Sequence, residues 1–569
     1  MIAKSNEDVM VPVRIGLLGG LIAVLIALQG MIQTFSARDI VGGVISMSQT
    51  LLLMTLFVTG YLAVSRSGHV RPVFALFAGA LSGFLASLLV VALIFFGRAI
   101  NLGAMMVNAT SELYDLLTFK QGLMMGSLFL LIAGVVLGAL SALTFLLPSK
   151  TRRPIVVALV CVIVLGVLQD LLTITLSNLP ALTPIVKFFY VSNGLSIAGA
   201  VTVFVLVAAI SYFWSTRGTQ IQNRINGLPP ASRRGLRWSA IGIVVVILLL
   251  LPSIVGLYIS EVLDLVGMFL LMGLGLNIVV GFAGLLDLGY VAFFAIGAYT
   301  VGILTSPELG RAVIMGSWWA ALPFGIAVAM FAGVILGVPV LKMRGDYLAI
   351  VTLGFGEIIR ILALSDLLKP FLGGAQGTRG IAKPDIGLIQ INWGPQAFYY
   401  FFLVGALLVI FIATRVKSSR LGRAWMAVRE DEDVAQAMGI NLVATKLLAF
   451  AMGASFGGLS GAIFASKLGS IFPSSFNFLI SINVLSLIII GGMGSIPGVV
   501  VGALALVGLP ELMREFAEFR YLFYGIGLVV MMLTRPEGLW PEAARSRELH
   551  EAEAEAEVEP ATAGAVAGK

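Results

Sequence analysis

Two ionisable residues stand three apart in an otherwise apolar run. In RGDYLAIVTLGFGEIIRILALS (344–365), Glu357 and Arg360 fall on one helical face, where they can pair at membrane depth and face the protein interior. Such a pair marks either a substrate or ion pathway or a structural clamp near the outer interface, because it lies toward the outer half of its run. Thr352, Gly354 and Gly356 precede it and fit a bent or half-length helix. A second polar position, Asn277, falls mid-membrane in LGLNIVVGFAGLLDLGYVAFFAIGAYT (274–300). An amide in hydrocarbon is costly unless it hydrogen-bonds across helices or lines a polar path. Gly281, Gly284 and Gly289 surround Asp287 and read as a break where one span turns into the next, with Asp287 able to cap the new helix. A third interruption, GGMGSIPG (491–498), carries Gly491 and Gly494. Its backbone amides, at the start of a half-helix, suit a carboxylate; a tight re-entrant turn accounts for the same residues.

Other chemistries are excluded or disfavoured. No G-x-x-x-x-G-K-[ST] run occurs, so the chain has no P-loop for nucleotide phosphates and any ATP-driven step belongs to another polypeptide. The single Cys161 excludes a disulfide framework, and the two histidines, His69 and His550, fall in a loop and in the tail, so no catalytic, cofactor or metal site is expected. The formal net charge of +7 fits basic loops against an anionic inner leaflet better than it fits nucleic acid.

The elements that must position these residues are membrane helices. The chain has 569 residues, is 59% hydrophobic and only 11% charged, and repeats apolar runs long enough to cross a bilayer, which predicts an all-α polytopic membrane protein with about 16 membrane-depth segments. Six fall at 14–34, 42–64, 72–97, 121–147, 154–176 and 194–214, and the first reads as a retained helix because no small-residue cleavage site follows it. Ten more fall at 238–258, 260–284, 287–305, 318–341, 346–364, 397–414, 446–467, 478–492, 496–513 and 521–534, several short or broken by Gly and Pro. The domain plan is a six-helix module (1–215), a basic linker with Arg217, Arg224, Arg233, Arg234 and Arg237 around a Pro-Pro pair (216–237), a core of short and broken helices (238–541) and an acidic, disordered tail (542–569). Arg66 and Arg71, then Lys150, Arg152 and Arg153, then the linker arginines flank alternate loops. This pattern places the N- and C-termini in the cytoplasm.

Between two apolar runs of the core lies a polar island, Arg415 to Lys446. Leu421, Ala424, Trp425 and Val428 form one apolar face, and a second short helix can start after Asp431 or Asp433 and put Val434, Ala435 and Met438 on one side. Gly439 stands where that helix would end. The island is either an ordinary cytoplasmic loop or a docking surface for another protein. Gly453, Gly457 and Gly461 make a small-xxx-small stripe, and Gly498 with Gly502 makes another, for close helix contact within the subunit or between subunits.

Five ordered stretches, LNIVVGFAGLLDLGYVAFFAIGAYT, RGDYLAIVTLGFGEIIR, SSRLGRAWMAVREDEDVAQAMGI, GGMGSIPG and RPEGLW, resemble the LivM-type permease of branched-chain amino acid ABC importers over about 245–541. The first six helices look like the extension that some LivM proteins carry. The resemblance implies a non-enzymatic, multi-pass subunit of the bacterial inner membrane that pairs with a LivH-type sister permease, two cytoplasmic ATPases holding ATP and Mg, and a periplasmic amino-acid-binding protein. It implies that the island meets the ATPase around Ala435, Ala437 and Gly439; Trp425 lies in its first helix, and we infer Arg423, Arg429, Glu430 and Glu432 as the charged partners. From the polar and broken segments themselves we expect a translocation path or gate lined by 260–300, 346–364 and 478–498, near Asn277, Gly281, Asp287, Thr352, Glu357, Arg360, Gly491 and Gly494. The alternatives are an ABC permease for urea, short amides or nucleosides, and an ion-coupled secondary transporter, for which Glu357 is the one acidic candidate.

Overall fold

The computed structural model describes residues 2–542 apart from 68–71, 101, 178–181, 192, 227–229, 308–315, 342, 344, 386–392, 517–518 and 536. His69, Arg71, Lys342, Arg344, His550 and the tail beyond Glu542 lie outside the described residues. The chain forms two compact units, Met1–Val246 and Ile247–Lys569.

The first unit has the helices α1 (Ile2–Leu28), α2 (Met47–Arg66), α3 (Pro72–Ala99), α4 (Leu123–Leu146), α5 (Ser149–Val167), α6 (Gln169–Ser177) and α7 (Ile197–Asn226). The expected span 154–176 is the pair α5 and α6, bent by 70°. Small residues let α3 and α4 touch backbone to backbone: a methyl group on Gly138 would lie 2.1 Å from the Gly79 carbonyl oxygen, and one on Gly83 would lie 2.1 Å from that of Gly134. Two short hairpins were not expected in an all-α chain. They are β1 (Asp39–Val41) with β2 (Ile45–Ser46), and β3 (Tyr190–Val191) with β4 (Gly194–Leu195), joined in the order β2-β1-β4-β3. Strands β1 and β4 run parallel, with Val41 opposite Leu195. Ser46 ends the first hairpin and starts α2 by a capping box, its Oγ accepting from the Gln49 N–H at 3.2 Å while Gln49 Oε1 accepts the Ser46 N–H at 3.1 Å. The segment read as a linker is mostly helical, since α7 runs to Asn226 and the next helix begins at Pro230, a residue tolerated in a first turn.

The second unit contains α8 (Pro230–Leu276) from Ile247 onward, then α9 (Val291–Thr305), α10 (Trp318–Val340), α11 (Asp346–Leu364), α12 (Pro395–Lys417), α13 (Arg420–Glu430), α14 (Glu432–Ala437), α15 (Leu442–Leu468), α16 (Phe478–Gly491), α17 (Ile496–Ala503) and α18 (Arg520–Thr534). Helix α15 is the axis of this unit and packs on α9 and α10, with Phe293, Phe294, Phe450 and Trp318 fully buried around it. Strands β5 (Thr378–Arg379) and β6 (Ser470–Ile471) pair antiparallel beyond its C-terminal end.

Among the described residues eleven helices are long and apolar enough to cross a membrane, or twelve if the bent pair is one span, against the about 16 segments expected from hydropathy. The two numbers count different things. The runs expected at 238–258 and 260–284 are two helical stretches that meet at non-helical backbone at Gly256, where φ is +77°, and together make one of the eleven. Three further apolar runs, at Val291–Thr305, Ile496–Leu512 and Arg520–Leu533, make helices of only 10–17 residues.

Candidate functional site

The break after α8 begins as a π-helical turn, Asn277–Phe282. Wider turns of this kind leave backbone groups unpaired, and this one sits where no water competes for them. Asn277 is 1% exposed, and its Oδ1 accepts the N–H of Gly494 at 2.9 Å. The side chain therefore bridges two of the three interruptions read from the sequence. Gly281 must be glycine for this to happen: a methyl group there would lie 2.2 Å from Asn277 Oδ1 and 2.7 Å from the Gly494 nitrogen. Gly494 has φ +80°, a backbone conformation that side chains resist.

The second part of the break is held differently from the expectation. Asp287 Oδ1 accepts the N–H of Gly289 at 2.8 Å, closing a turn ahead of α9. The first N–H of α9, on Val291, instead donates to Ser481 Oγ on α16 at 2.9 Å. Thr352 joins this corner from α11, its Oγ1 accepting the Leu288 N–H at 3.0 Å. A methyl group on Gly289 would sit 1.8 Å from the Thr352 carbonyl oxygen, so α11 and the turn touch backbone to backbone. Glu357 and Arg360 belong to neither cluster. They pair with each other on α11, and their side chains are 40% and 30% exposed rather than turned into the core. Their neighbours Ile358 and Ile361 are 56% and 54% exposed, so this face of α11 is open along its length.

The island forms the two helices expected. Ser419 caps α13 by accepting the Gly422 N–H at 3.3 Å, and Asp431 caps α14 by accepting from Asp433 and Val434 at 2.8 and 2.9 Å. Gly439, at φ +88°, ends α14, with the Ile440 N–H returning to the Ala435 carbonyl at 3.1 Å. Trp425 is fully buried and its Nε1 donates to the Thr445 carbonyl at 2.8 Å, fastening α13 to the start of α15. Lys446, almost completely buried, pairs with Glu432 at 2.7 Å and fastens α14 to the same helix. Helix α14 departs from its reading in one respect. Ala435 faces inward, whereas Val434 and Met438 are 59% and 79% exposed. Arg423, Glu430 and Ala437 are also on the exposed surface.

Arg429 is the residue that connects island and break. It lies on the inward side of α13, and its Nη1 donates to the Gly281 carbonyl at 2.6 Å. Its Cγ lies 2.6 Å from where a side chain on Gly284, at φ +72°, would begin. Two residues not singled out from the sequence complete the joint. Lys417, at the end of α12, donates from Nζ to the Gly494 carbonyl at 2.9 Å, and Glu542 pairs with Lys417 at 2.7 Å. In sequence Lys417 is one of several basic residues of the island and Glu542 the first residue of the tail. Beside them lies an open cavity of about 890 Å³, lined by Ile410, Lys417, Met426, Pro497, Trp540 and Glu542 among others.

The glycine stripes face neighbours within the chain. Methyl groups on Gly453, Gly457 and Gly461 would lie 2.5 Å from Val279 Cγ2, 3.2 Å from Phe293 Cβ and 2.0 Å from the Phe294 carbonyl oxygen. Those on Gly498 and Gly502 would lie 2.5 Å from the Gly491 oxygen and 2.3 Å from that of Leu487. No three His, Cys, Asp or Glu side chains among the described residues are grouped to hold a metal ion.

Comparison with known proteins gives a consistent neighbourhood. The family described as branched-chain amino acid transport system / permease component matches residues 258–534. The high-affinity branched-chain amino acid transport system permease protein LivM of Salmonella typhimurium is 41% identical over 312 residues, which are 51% of this chain and 71% of the relative. LivM of Escherichia coli K12 is 41% identical over 313 residues, 51% and 72% of the two chains. The LivH permease protein of Salmonella typhimurium is 24% identical over 293 residues, 48% of this chain and 90% of that one. No solved structure matches.

Proposed function

The chain belongs to the LivM-type permeases of branched-chain amino acid transport systems, and on that premise we propose that it is the membrane subunit of an ATP-driven importer for leucine, isoleucine and valine. The transport chemistry is conformational: a permease alternates between outward- and inward-open states, and the free energy comes from ATP bound with Mg on partner ATPases. The assembly in this reading contains a LivH-type sister permease, two cytoplasmic ATPases and a periplasmic binding protein. The chain lies in the bacterial inner membrane with both termini cytoplasmic, and the core at 238–541 carries the path. The module 1–215 is an addition to that core.

The observation that carries the coupling half of this reading is the Arg429 bond to the Gly281 carbonyl. A cation on a surface helix holds a backbone oxygen in a membrane break, so displacement of the helix moves the break. The exposed outer face of α14, with Val434, Met438 and Ala437, suits the ATPase cleft, and Gly439 lets the chain turn away from it. Glu430, whose side chain is 70% exposed, suits a rim contact.

The test is uptake of radiolabelled leucine by cells that make the chain with its neighbouring transport subunits. Val434→Asp combined with Met438→Asp should abolish ATP-dependent uptake while the chain reaches the membrane at wild-type level. Undiminished uptake would overturn the docking assignment. Wild-type uptake that follows a proton or sodium gradient without the ATPases would overturn the importer reading itself. Competition by urea or a nucleoside in place of isoleucine would reassign the substrate.

A further inference from the structure

After α18 the chain turns back on the core. Gly538, at φ +95°, makes the turn, with its N–H donating to the Arg535 carbonyl at 3.0 Å. The next two amides then seat themselves: Leu539 N–H donates to the Ile490 carbonyl at 2.7 Å and Trp540 N–H to that of Gly491 at 3.0 Å. These acceptors are the final carbonyls of α16, which no further helical turn would satisfy. The segment 537–542 is therefore a strap that caps α16 with backbone. The fit leaves no room for side chains on the facing glycines: a methyl group on Gly492 would lie 2.9 Å from the Trp540 oxygen, and one on Gly538 would lie 2.7 Å from Gly492 Cα.

The strap ends at one ammonium group. Glu542 Oε1 lies 2.7 Å from Lys417 Nζ, and the side chains of the two residues are only 28% and 26% exposed. The same Nζ donates to the Gly494 carbonyl at 2.9 Å and stands 5.3 Å from the centre of the Phe282 ring. Lys417 is the last residue of α12, two positions before the cap of α13. One cation thus touches the entrance of the island, the 491–494 turn, the π-helical turn and the strap. Without Glu542 its charge would stand in a three-quarters-buried site with only neutral partners, where it would draw water or swing to the surface. With Glu542 beside it, a donor is held on Gly494.

Resting on the importer reading, we propose that Lys417 and Glu542 are positioning residues of the transport cycle. The strap fixes Lys417, and Lys417 carries displacement of the island to the 491–494 turn, alongside the Arg429 bond to Gly281. Glu542 acts through Lys417 and touches no substrate.

The test uses the full assembly in proteoliposomes and reads leucine transported per ATP hydrolysed, a ratio that simple loss of folded protein leaves unchanged. Glu542→Gln should lower the ratio about two- to fivefold, the effect of one partly screened ion pair. Lys417→Met, which also loses the bond to Gly494, should lower it about tenfold, whereas Lys417→Arg should keep most of it. Exchange of the two charges (K417E with E542K) should not restore the ratio, because it sets a carboxylate against the Gly494 oxygen. An unchanged ratio in Glu542→Gln and Lys417→Met would overturn the proposal, and so would full rescue by the exchange. If wild-type protein fails to transport leucine with ATP, the importer reading fails instead. The strap is then judged by trypsin cleavage after Lys417, which Glu542→Gln should accelerate; an unaltered cleavage rate would overturn the strap as well.

Discussion

Replacing Arg429 by methionine separates the bond from the packing. Methionine keeps an unbranched stem of similar reach against Gly284 and removes only the guanidinium, whose Nη1 holds the Gly281 carbonyl at 2.6 Å. A hydrogen bond from a charged donor contributes about 1.5–3 kcal/mol. The Arg429 side chain is 24% exposed, so solvent screening favours the lower part of that range, about 1.5–2 kcal/mol. If the bond exists in only one of the two transport states, its loss changes their ratio by about ten- to thirtyfold, at about 1.4 kcal/mol per tenfold. Arg429→Met should therefore lower leucine uptake by roughly tenfold or more while ATP hydrolysis continues, because the outward face of α14 is untouched. The neighbouring contact to Glu430, at 3.4 Å and with that carboxylate 70% exposed, contributes little by comparison. The assay is paired uptake and hydrolysis on one preparation. Uptake within twofold of wild type, at equal expression, would refute the assignment of Arg429 as the link.

Two further outcomes follow from the packing. Asn277→Leu removes the acceptor for the buried Gly494 N–H and should destabilise the core by about 1–3 kcal/mol, read as lower thermal stability of the detergent-purified chain and lower uptake; a variant matching wild type in both would show that the amide is not needed. Gly461→Ala places a methyl group 2.0 Å from the Phe294 carbonyl oxygen, whereas Gly354→Ala meets nothing within 4 Å. The first should sharply reduce the amount of monodisperse protein on size exclusion and the second should not, and equal yields would contradict the close approach of α9 and α15.

What the sequence made legible was local. Asp431 and Gly439 announce the two ends of α14 by residue type, because capping and positive φ are properties of single residues and their neighbours. Trp425 and Val428 fall inward as their helical spacing requires. In a helix of six residues no stripe repeats, so the outward turn of Val434 and Met438 could not be read from periodicity. The partners of Arg429, Lys417 and Asn277 lie 148, 77 and 217 positions away, and nothing in a single sequence encodes such meetings. Charge on an amphipathic island reads as surface charge; here Arg429 turns inward because an unpaired carbonyl awaits it. The span count is a matter of length: eleven or twelve helices among the described residues are long enough to cross a membrane, and the remaining expected segments are short helices or the two halves of the course broken at Gly256.

The breaks and the island answer one physical problem together. A chain that interrupts its helices inside a membrane exposes carbonyls and amides that lipid cannot satisfy, at several kcal/mol each. Here the side chain of Asn277 satisfies the Gly494 amide, Arg429 the Gly281 carbonyl and Lys417 the Gly494 carbonyl. Of the three, Arg429 comes from a surface helix and Lys417 from the last residue of the span that leads into it. Moving the island therefore strips buried backbone groups of their partners unless the breaks move with it. That penalty makes the joint stiff in a way that apolar contact alone would not, since side chains can slide over one another at small cost whereas an orphaned carbonyl cannot be left behind. Glycine at 281 follows from the same requirement, since a methyl group there would stand 2.2 Å from Asn277 Oδ1 and 2.7 Å from the Gly494 nitrogen, and at 494 the positive φ of +80° calls for glycine.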